Sequence, residues 1–367
     1  MKRSILHLEK DFNNLRSCEQ ALFRPISAQQ RKETPVTSSR KPGWSVMGTG
    51  TIATEHMVAA IRSIGHEARW VVSRNKEYAK FFSEDLRIPQ TSTEASRALN
   101  DPLVDFAYVS AARDRRKHYI SAAAEARKHI LCDAPISHSS RIASGLVARC
   151  RAAGVTLAVN QPSRASIVHQ TMRRLMMEGH IGTLQSLLIV RGAPYHSPPN
   201  RRSEEMSRQG ELLLDVSVED VDLARFLTGQ EPVEVSALSA APNGESRQQI
   251  SYAMRMSEGA MFQAFESYTT AEIESVVMLA GDQGALIAQG TLNGRAGTLT
   301  RRANARNELV PVRERELHAT TIEGFLASTR TSSDWLCRGD DNVIALKAAE
   351  AIQASNKRQR TVPVQSK

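Results

Sequence analysis

The stretch WSVMGTGTIATEHMVAAI, residues 44–61, places a glycine-rich turn between an apolar run and an amphipathic segment. The run predicts a buried strand, and the spacing after the turn predicts a helix. Glycines permit a tight turn and let backbone N–H groups approach a diphosphate, while the opening helix adds favourable partial charge. A glycine turn selected only for packing is the alternative, but the flanking strand and helix favour phosphate binding. We assign this phosphate turn (residues 48–53) to Gly48, Thr49, Gly50, Thr51 and Ile52, with Ala53 in the third small position.

Two kinds of sequence pattern alternate after the phosphate turn. Short apolar runs predict strands, and longer patterns of helical period lie between them. Such alternation is typical of an α/β fold with a doubly wound parallel sheet, a Rossmann domain, which we predict over residues 43–160. The predicted strands lie at 44–47, 68–72, 104–110, 129–132 and 155–159.

The pattern changes after a predicted helix at 166–179. Strand-like segments then follow one another with short turns, which predicts a mostly antiparallel open sheet in a C-terminal α+β domain over 161–367. The final helix, 341–355, is a candidate for packing back on the Rossmann domain. Residues 1–42 predict a short amphipathic helix on an arm, which is either a tail or a segment docked on a partner subunit.

Composition narrows the class of protein. The net charge is +9, but the arginines are scattered among acidic residues, so the sequence does not favour nucleic acid as a partner. No apolar run approaches the length of a membrane span. The four cysteines are too widely spaced for a zinc site or disulfide framework, and no histidine pair has metal-ligand spacing, which predicts a cytoplasmic protein without a metal.

The end of the second predicted strand, VVSRN (71–75), bears on the choice of cofactor. A carboxylate at this position would bind the adenosine ribose hydroxyls of NAD. Ser73 can donate a hydrogen bond and Arg74 can pair with a 2′-phosphate, so the sequence favours NADP over NAD. The alternative is that Arg74 stacks on the adenine or is only solvated.

Five segments together resemble the Gfo/Idh/MocA family of NAD(P)-dependent oxidoreductases over about residues 43–365. The resemblance implies an open C-terminal sheet that faces the active site and often mediates oligomers, so we expect a homo-oligomer through that sheet. It also implies a small-molecule substrate, a sugar, inositol, polyol or carbonyl compound, and it places Ser110 against the cofactor. The segments are GTGTIA, VVSRNKEYAKFF, DPLVDFAYVS, KHILCDAPIS and ELLLDVSVEDVDLARFLTG.

The segment KHILCDAPIS departs from the family, which carries Glu-Lys-Pro where this chain has Asp133, Ala134 and Pro135. The resemblance implies that a lysine there positions the substrate oxygen and relays its proton, and Ala134 can do neither. Pro135 directs the backbone toward the nicotinamide, and the family often has a cis bond here. Asp133 either hydrogen-bonds the nicotinamide ribose or caps the following turn.

The segment DVSVEDVD departs from the family's Asp-x-x-x-His pattern. Asp215 matches the aspartate and Glu219 replaces the histidine. Residues four apart share a helix face, and two crowded carboxylates would raise one pKa toward the range of a general base. The alternative is a solvated acidic helix start that also includes Asp220 and Asp222. A second family histidine is replaced by Arg116.

Two functional hypotheses follow from these residues. In the first, the protein is an oxidoreductase in which Glu219, tuned by Asp215, handles the substrate proton. In the second, loss of the lysine and histidines leaves a catalytically inactive NAD(P)-binding sensor, regulator or assembly protein. We assign candidate substrate contacts to Arg191, Tyr195 and His196, although a proline-rich loop such as PYHSPPNRR often carries only surface residues.

Overall fold

The computed structural model describes residues 40–50, 52–192, 213–239, 249–270, 272–292, 297–331 and 333–365. Thr51, Tyr195, His196 and nearly all of the predicted arm therefore lie outside the described residues. The fold belongs to a compact unit that spans Lys41–Lys367. None of the helices in the described ranges is long and apolar enough to cross a membrane.

Six parallel strands form the first sheet, in the order β3-β2-β1-β4-β5-β6. The order reverses between β1 and β4, which creates the crevice where doubly wound sheets bind ligands. The predicted Rossmann sheet is thereby confirmed. The strands are β1 (Gly43–Met47), β2 (Glu67–Val72), β3 (Gln90–Ser92), β4 (Phe106–Val109), β5 (His129–Asp133) and β6 (Leu157–Asn160).

Helices connect these strands and cover both faces of the sheet. A π-helical turn, Ala53–Met57, follows the phosphate turn and continues directly into the first α-helix. The helices are α1 (Val58–Ser63), α2 (Lys76–Asp85), α3 (Ala95–Leu99), α4 (Arg113–Glu125), α5 (Ser140–Ala152), α6 (Pro162–Ala165) and α7 (Ile167–Met177).

The second sheet has nine strands in the order β14-β13-β12-β11-β7-β10-β9-β8-β15. Neighbours pair antiparallel except β7 and β10, which pair in parallel, so the predicted mostly antiparallel sheet is confirmed. The strands are β7 (Leu184–Gly192), β8 (Pro232–Leu238), β9 (Gln249–Met256), β10 (Met261–Ser267), β11 (Val276–Gly281), β12 (Ala285–Gln289), β13 (Thr298–Ala303), β14 (Arg306–Leu309) and β15 (Val362–Pro363).

Strand alternation gives the second sheet one covered face and one open face. Buried residues such as Leu187 and Ile189 point toward helices α7 and α8 (Val218–Thr228), which contact this sheet. On the other face, Leu188, Met278 and Ile287 occupy one cross-strand row and are only partly buried. We call this partly buried side of the second sheet, on which Leu188, Met278 and Ile287 lie, the open face.

Two late helices join the halves of the chain. Phe325 of helix α9 (Leu317–Ser328) packs into the hydrophobic core between the first sheet and α1, where its ring centroid lies 5.6 Å from that of Trp44. Helix α10 (Gly339–Arg358) contacts α5, α8 and β8, and Asn342 Oδ1 accepts a 3.0 Å hydrogen bond from the Ile136 N–H. Strand β15 then pairs with β8 at the edge of the second sheet.

Candidate active site

The phosphate turn packs tightly against the end of β4. Gly48 has φ of +105°, and a Cβ on it would lie 2.6 Å from the Ala111 Cα. A Cβ on Gly50 would lie 2.6 Å from the Ser110 carbonyl oxygen. Only glycine fits at both positions, so the turn packs directly against the residues after β4 and lies at the start of a helix, where a diphosphate would bind. Ala53 is fully buried, and its small side chain lets the helix pack closely on the sheet.

Ser73 and Arg74 directly follow β2 at the same edge of the sheet. The Ser73 N–H donates a 3.1 Å hydrogen bond to the Ser92 carbonyl, and the Ser73 side chain is largely buried. Arg74 is exposed, so its guanidinium is accessible to a ligand that lies along this edge. The next residue, Asn75, caps α2 by accepting a 2.9 Å hydrogen bond from the Tyr78 N–H. These three residues supply no carboxylate at the position that NAD would need.

Asp133, at the end of β5, binds side chains from the ends of the two neighbouring strands, β4 and β6. Its carboxylate accepts hydrogen bonds from the Tyr108 hydroxyl, from Ser110 Oγ at 2.7 Å and from Asn160 Nδ2 at 3.3 Å. The side chain is buried, and burial raises the pKa of Tyr108, so the phenol keeps its proton and donates. Asp133 therefore fixes the carboxyl ends of β4, β5 and β6 beside the phosphate turn.

Arg116 supports the turn that follows Asp133. Its Nε donates to the Ala111 carbonyl at 2.9 Å, and its Nη1 donates to the carbonyls of Asp133, at 2.7 Å, and Pro135. The Ala134–Pro135 peptide bond is cis. Arg116 is buried and all of these acceptors are backbone oxygens, so this residue holds the turn after β5 in place. The position of Arg116 in the sequence could not reveal this, because its acceptors lie at the ends of two separate strands, β4 and β5.

Glu219 lies in the first turn of α8. Its Oε2 is 3.2 Å from Arg191 Nη1, and the other Arg191 nitrogen, Nη2, binds the carboxylate of Asp220. Burial raises the pKa of Glu219, the Arg191 charge opposes that rise, and the Asp220 charge adds to it. The Glu219 side chain keeps 29% of its surface exposed, whereas Asp220 is fully buried. Glu219 is therefore the member of this group that a substrate can reach.

Asp215, the partner expected for Glu219, is ion-paired with Arg113 at the start of α4. That contact links the second half of the chain to the Rossmann half. Asp220, and not Asp215, is the carboxylate that acts most strongly on Glu219. The prediction that Asp215 raises the pKa of Glu219 is therefore wrong. Asp215 lies in the π-helical turn Leu213–Ser217, and its charge is paired with that of Arg113.

The alternative of a solvated acidic helix start is also wrong, because Asp220 and Asp222 are buried. Asp222 accepts two 2.7 Å hydrogen bonds from Arg164, whose side chain is only 6% exposed. A buried bidentate pair of this kind compensates the desolvation of both charges. Asp222 therefore has a structural role in joining α6 to α8.

Glu266 is a buried acidic residue below α8, close to Asp220, that was not predicted from the sequence. It is fully buried, and its carboxyl group accepts hydrogen bonds from Ser217 and from the Tyr252 hydroxyl, the latter at 2.6 Å. Burial and the neighbouring Asp220 raise the pKa of Glu266 to about 8. Strand alternation was an available signal, since Glu266 shares the inward parity of Phe262 and Ala264.

The predicted site residues fall into groups. The described part of the phosphate turn, Ser110, Asp133 and Pro135 come together at the carboxyl edge of the first sheet, and Arg191 and Glu219 come together in the second half. Arg191 is buried between two carboxylates, which differs from the direct substrate contact expected for it.

The fold and this geometry define a class: a dinucleotide-binding protein with a doubly wound domain and an open-sheet domain. Two family models match the chain. One describes an oxidoreductase family with an NAD-binding Rossmann fold and matches residues 43–161, and the other describes the GFO/IDH/MocA C-terminal domain and matches 169–287. The chain belongs to the Gfo/Idh/MocA oxidoreductase family, which confirms the predicted family.

Known proteins resemble the chain over most of its length. A 1,5-anhydro-D-fructose reductase from Ensifer adhaerens is 27% identical over 84% of this chain and 94% of the relative. A mouse trans-1,2-dihydrobenzene-1,2-diol dehydrogenase is 24% identical, but the match covers 53% of this chain and 59% of the relative. An aldose-aldose oxidoreductase from Caulobacter crescentus, solved with glycerol, has the same fold with a TM-score of 0.79 at 22% identity, covering 88% of this chain and all of that one.

Proposed function

We propose that the protein transfers hydride between NADP(H) and a sugar-, polyol- or carbonyl-type small molecule, with Glu219 handling the substrate proton. The observation that carries this proposal is the phosphate turn, where only glycine fits against Ser110 and Ala111. The resemblance to a 1,5-anhydro-D-fructose reductase supports the substrate class. The three described cysteines are free thiols, which is consistent with a cytoplasmic reaction.

The cofactor would lie along the carboxyl edge of the first sheet. Gly48 and Gly50 leave room for the diphosphate, with Thr49, Thr51 and Ile52 completing the turn. We assign the adenosine 2′-phosphate to Ser73 and Arg74, because Arg74 is exposed and guanidinium binds phosphate well. Ser110, Asp133 and Pro135 would border the nicotinamide ribose.

The proton chemistry would fall to Glu219. The bound nicotinamide would supply the hydride chemistry, and a carboxylate would then need to accept or return the proton of the substrate hydroxyl. A pKa raised by burial brings Glu219 closer to the working pH, and Arg191 fixes the orientation of the carboxylate through the 3.2 Å contact. We infer that Arg191 acts on the substrate through Glu219. Ala134 contributes no proton relay.

We propose a homo-oligomer that pairs the open faces of two second sheets. Beside the row Leu188, Met278 and Ile287, a second row holds Val190, two residues further along β7, and Phe265 on the adjacent strand β10, and all five side chains are only partly buried. A contiguous apolar face of this kind is typical of an interface between subunits.

The test combines binding and turnover. Protein fluorescence titrated with NADPH and NADH should show tighter binding of NADPH. Absorbance at the reduced-nicotinamide band should then change with at least one member of a panel of aldoses, ketoses, inositols and simple carbonyl compounds. Binding without turnover on the whole panel would favour the inactive sensor or regulator, and no binding of either dinucleotide would reject both functions.

A further inference from the structure

Strand β14 ends the second sheet, and no strand lies beyond it among the described residues. All four of its residues, Arg306–Leu309, are exposed. The hairpin that joins β14 to β13 turns at Asn304 and Ala305, both at positive φ, and the twist of such a two-residue turn matches that of the flanking strands. A regular strand with a free edge is a template for pairing with another strand.

The register of the hairpin identifies the backbone groups of β14 that face outward. The Val310 N–H donates a 2.8 Å hydrogen bond to the Leu299 carbonyl of β13. Bonded and non-bonded pairs alternate along an antiparallel ladder, so every second residue back from Val310 also bonds to β13. The N–H and C=O groups of the residues between them, Asn307 and Leu309, therefore point away from the sheet.

The charges on β14 are complementary to a second copy of the same strand. Arg306 and Glu308 are two residues apart, so their side chains point to the same side of the sheet. If two β14 strands pair antiparallel about a two-fold axis at Asn307, Arg306 lies opposite the partner subunit's Glu308, and this contact forms twice. Asn307 then bonds to its own copy, so the charges fall at a non-bonded pair, where cross-strand side chains are closest.

Both charges are available to a partner. Glu308 lies 3.6 Å from Arg301 across the hairpin, but its side chain keeps 69% of its surface exposed. Arg306 is exposed and forms no ion pair with another described residue. Charges on an edge usually discourage pairing. Here their order makes one register attractive, because a shift by two residues would place like charges opposite each other.

We propose that β14 is a subunit interface, which pairs with β14 of a second copy of this chain about a two-fold axis at Asn307 and joins the two second sheets into one. The axis is perpendicular to the sheet, so the open faces of both copies lie on the same side. Edge pairing and open-face pairing together would close a tetramer with two-fold axes. The edge contact involves neither cofactor nor substrate, so it stands apart from the proposed reaction.

The test measures the mass of the full chain by sedimentation. Arg306→Glu places acidic side chains opposite each other and Glu308→Arg places basic ones, so each variant alone should sediment at half the mass of the wild type. An equimolar mixture of the two variants should regain the wild-type mass, because every cross-strand pair in the mixed contact again joins opposite charges. Arg97→Glu, at an exposed position on α3, is the control and should keep the wild-type mass. Hydrogen exchange at the Asn307 amide should be slow in the wild type and the mixture, and fast in each single variant.

Three results would overturn the inference. Equal masses for the wild type and both single variants would reject self-pairing and leave the edge to a strand of another protein. Single variants that dissociate without recovery on mixing would show that the substitutions disturb the hairpin and not a contact between charges. A monomeric wild type would reject the edge contact together with the open-face contact, while NADPH binding and turnover would still test the proposed reaction. Thermal melts confirm that each variant is folded before sedimentation.

Discussion

Arg191 Nη1 lies 3.2 Å from Glu219 Oε2, while Nη2 of the same guanidinium binds the buried Asp220. One cation thus serves two carboxylates, and a third, Glu266, acts on Asp220 from the sheet below. Three carboxyl groups around a single buried guanidinium disfavour ionisation of all three. Burial raises the pKa of Glu219, Asp220 and Glu266, and the charge of Asp220 adds to that rise for Glu219 and Glu266.

Glu219→Gln should reduce kcat/KM for substrate oxidation by about 100-fold, the usual contribution of a general base. In the wild type, kcat/KM should rise with pH through a pKa above the ordinary range of a glutamate, because only the ionised form accepts a proton. The variant should lose this dependence. Steady-state rates from pH 5 to 9 check the prediction, and Glu125→Gln, on an exposed side chain, is the control. A variant with the wild-type pH profile would remove Glu219 from the proton step.

Glu266→Gln should change how stability depends on pH. A glutamate in water ordinarily has a pKa of 4.5, and burial raises the pKa of Glu266 to about 8 in the folded protein. Between these values the unfolded chain has released the proton that the folded protein retains, so this group makes the free energy of unfolding fall as pH rises. Glutamine stays neutral throughout. The melting temperature of the variant relative to wild type should therefore increase from pH 5 to pH 8, and a constant difference would contradict the shift.

Gly50→Ala should weaken dinucleotide binding on the order of tenfold, because the new Cβ meets the Ser110 carbonyl at 2.6 Å and the phosphate turn must move away from the diphosphate. Gly145→Ala is the matched control, since nothing lies within 4 Å of its Cβ in helix α5. The control should bind normally and gain up to about 1 kcal/mol of stability from helix propensity. Fluorescence titration of both variants measures the contrast, and equal affinities would argue against the assigned diphosphate position.

Asp222→Asn should destabilise the protein by about 3 kcal/mol, because it leaves the Arg164 guanidinium buried with reduced compensation. The exposed pair of Arg151 and Asp340 offers the comparison, and Asp340→Asn should cost less than about 1 kcal/mol. Urea unfolding curves give both values. Similar values for the two variants would mean that the buried pair has no special structural role.

Leu188→Glu should dissociate the proposed oligomer, since it places a charge at the centre of the open face. Phe81→Glu removes an apolar side chain that is 70% exposed on α2, in the Rossmann half, and should leave the assembly unchanged. Sedimentation at several concentrations distinguishes the two variants. A wild type that sediments as a monomer at all concentrations would reject the proposed interface.

The parts of the site that depend on local sequence were predictable. The phosphate turn and the helix after it follow from spacing within a few residues, and the alternation of strands and helices indicated the parallel sheet. The role of Arg116 was not predictable, because its acceptors lie at the carboxyl ends of two separate strands, β4 and β5. The predicted partner of Glu219, Asp215, was wrong for a similar reason. Helix geometry made Asp215 a neighbour on one face, but the packing of α8 on β7 brought in Arg191 instead.

The contacts of α9 and α10 have a consequence for the order of assembly during synthesis. Trp44 in the first strand packs against Phe325, the Ile136 amide is satisfied by Asn342, and β8 pairs with β15 near the C-terminus. Domains usually fold in turn as they leave the ribosome, N-terminal first. Here α9 and α10 supply part of the core of the Rossmann half, so we expect that half to complete its fold only after residues 317–358 have left the ribosome.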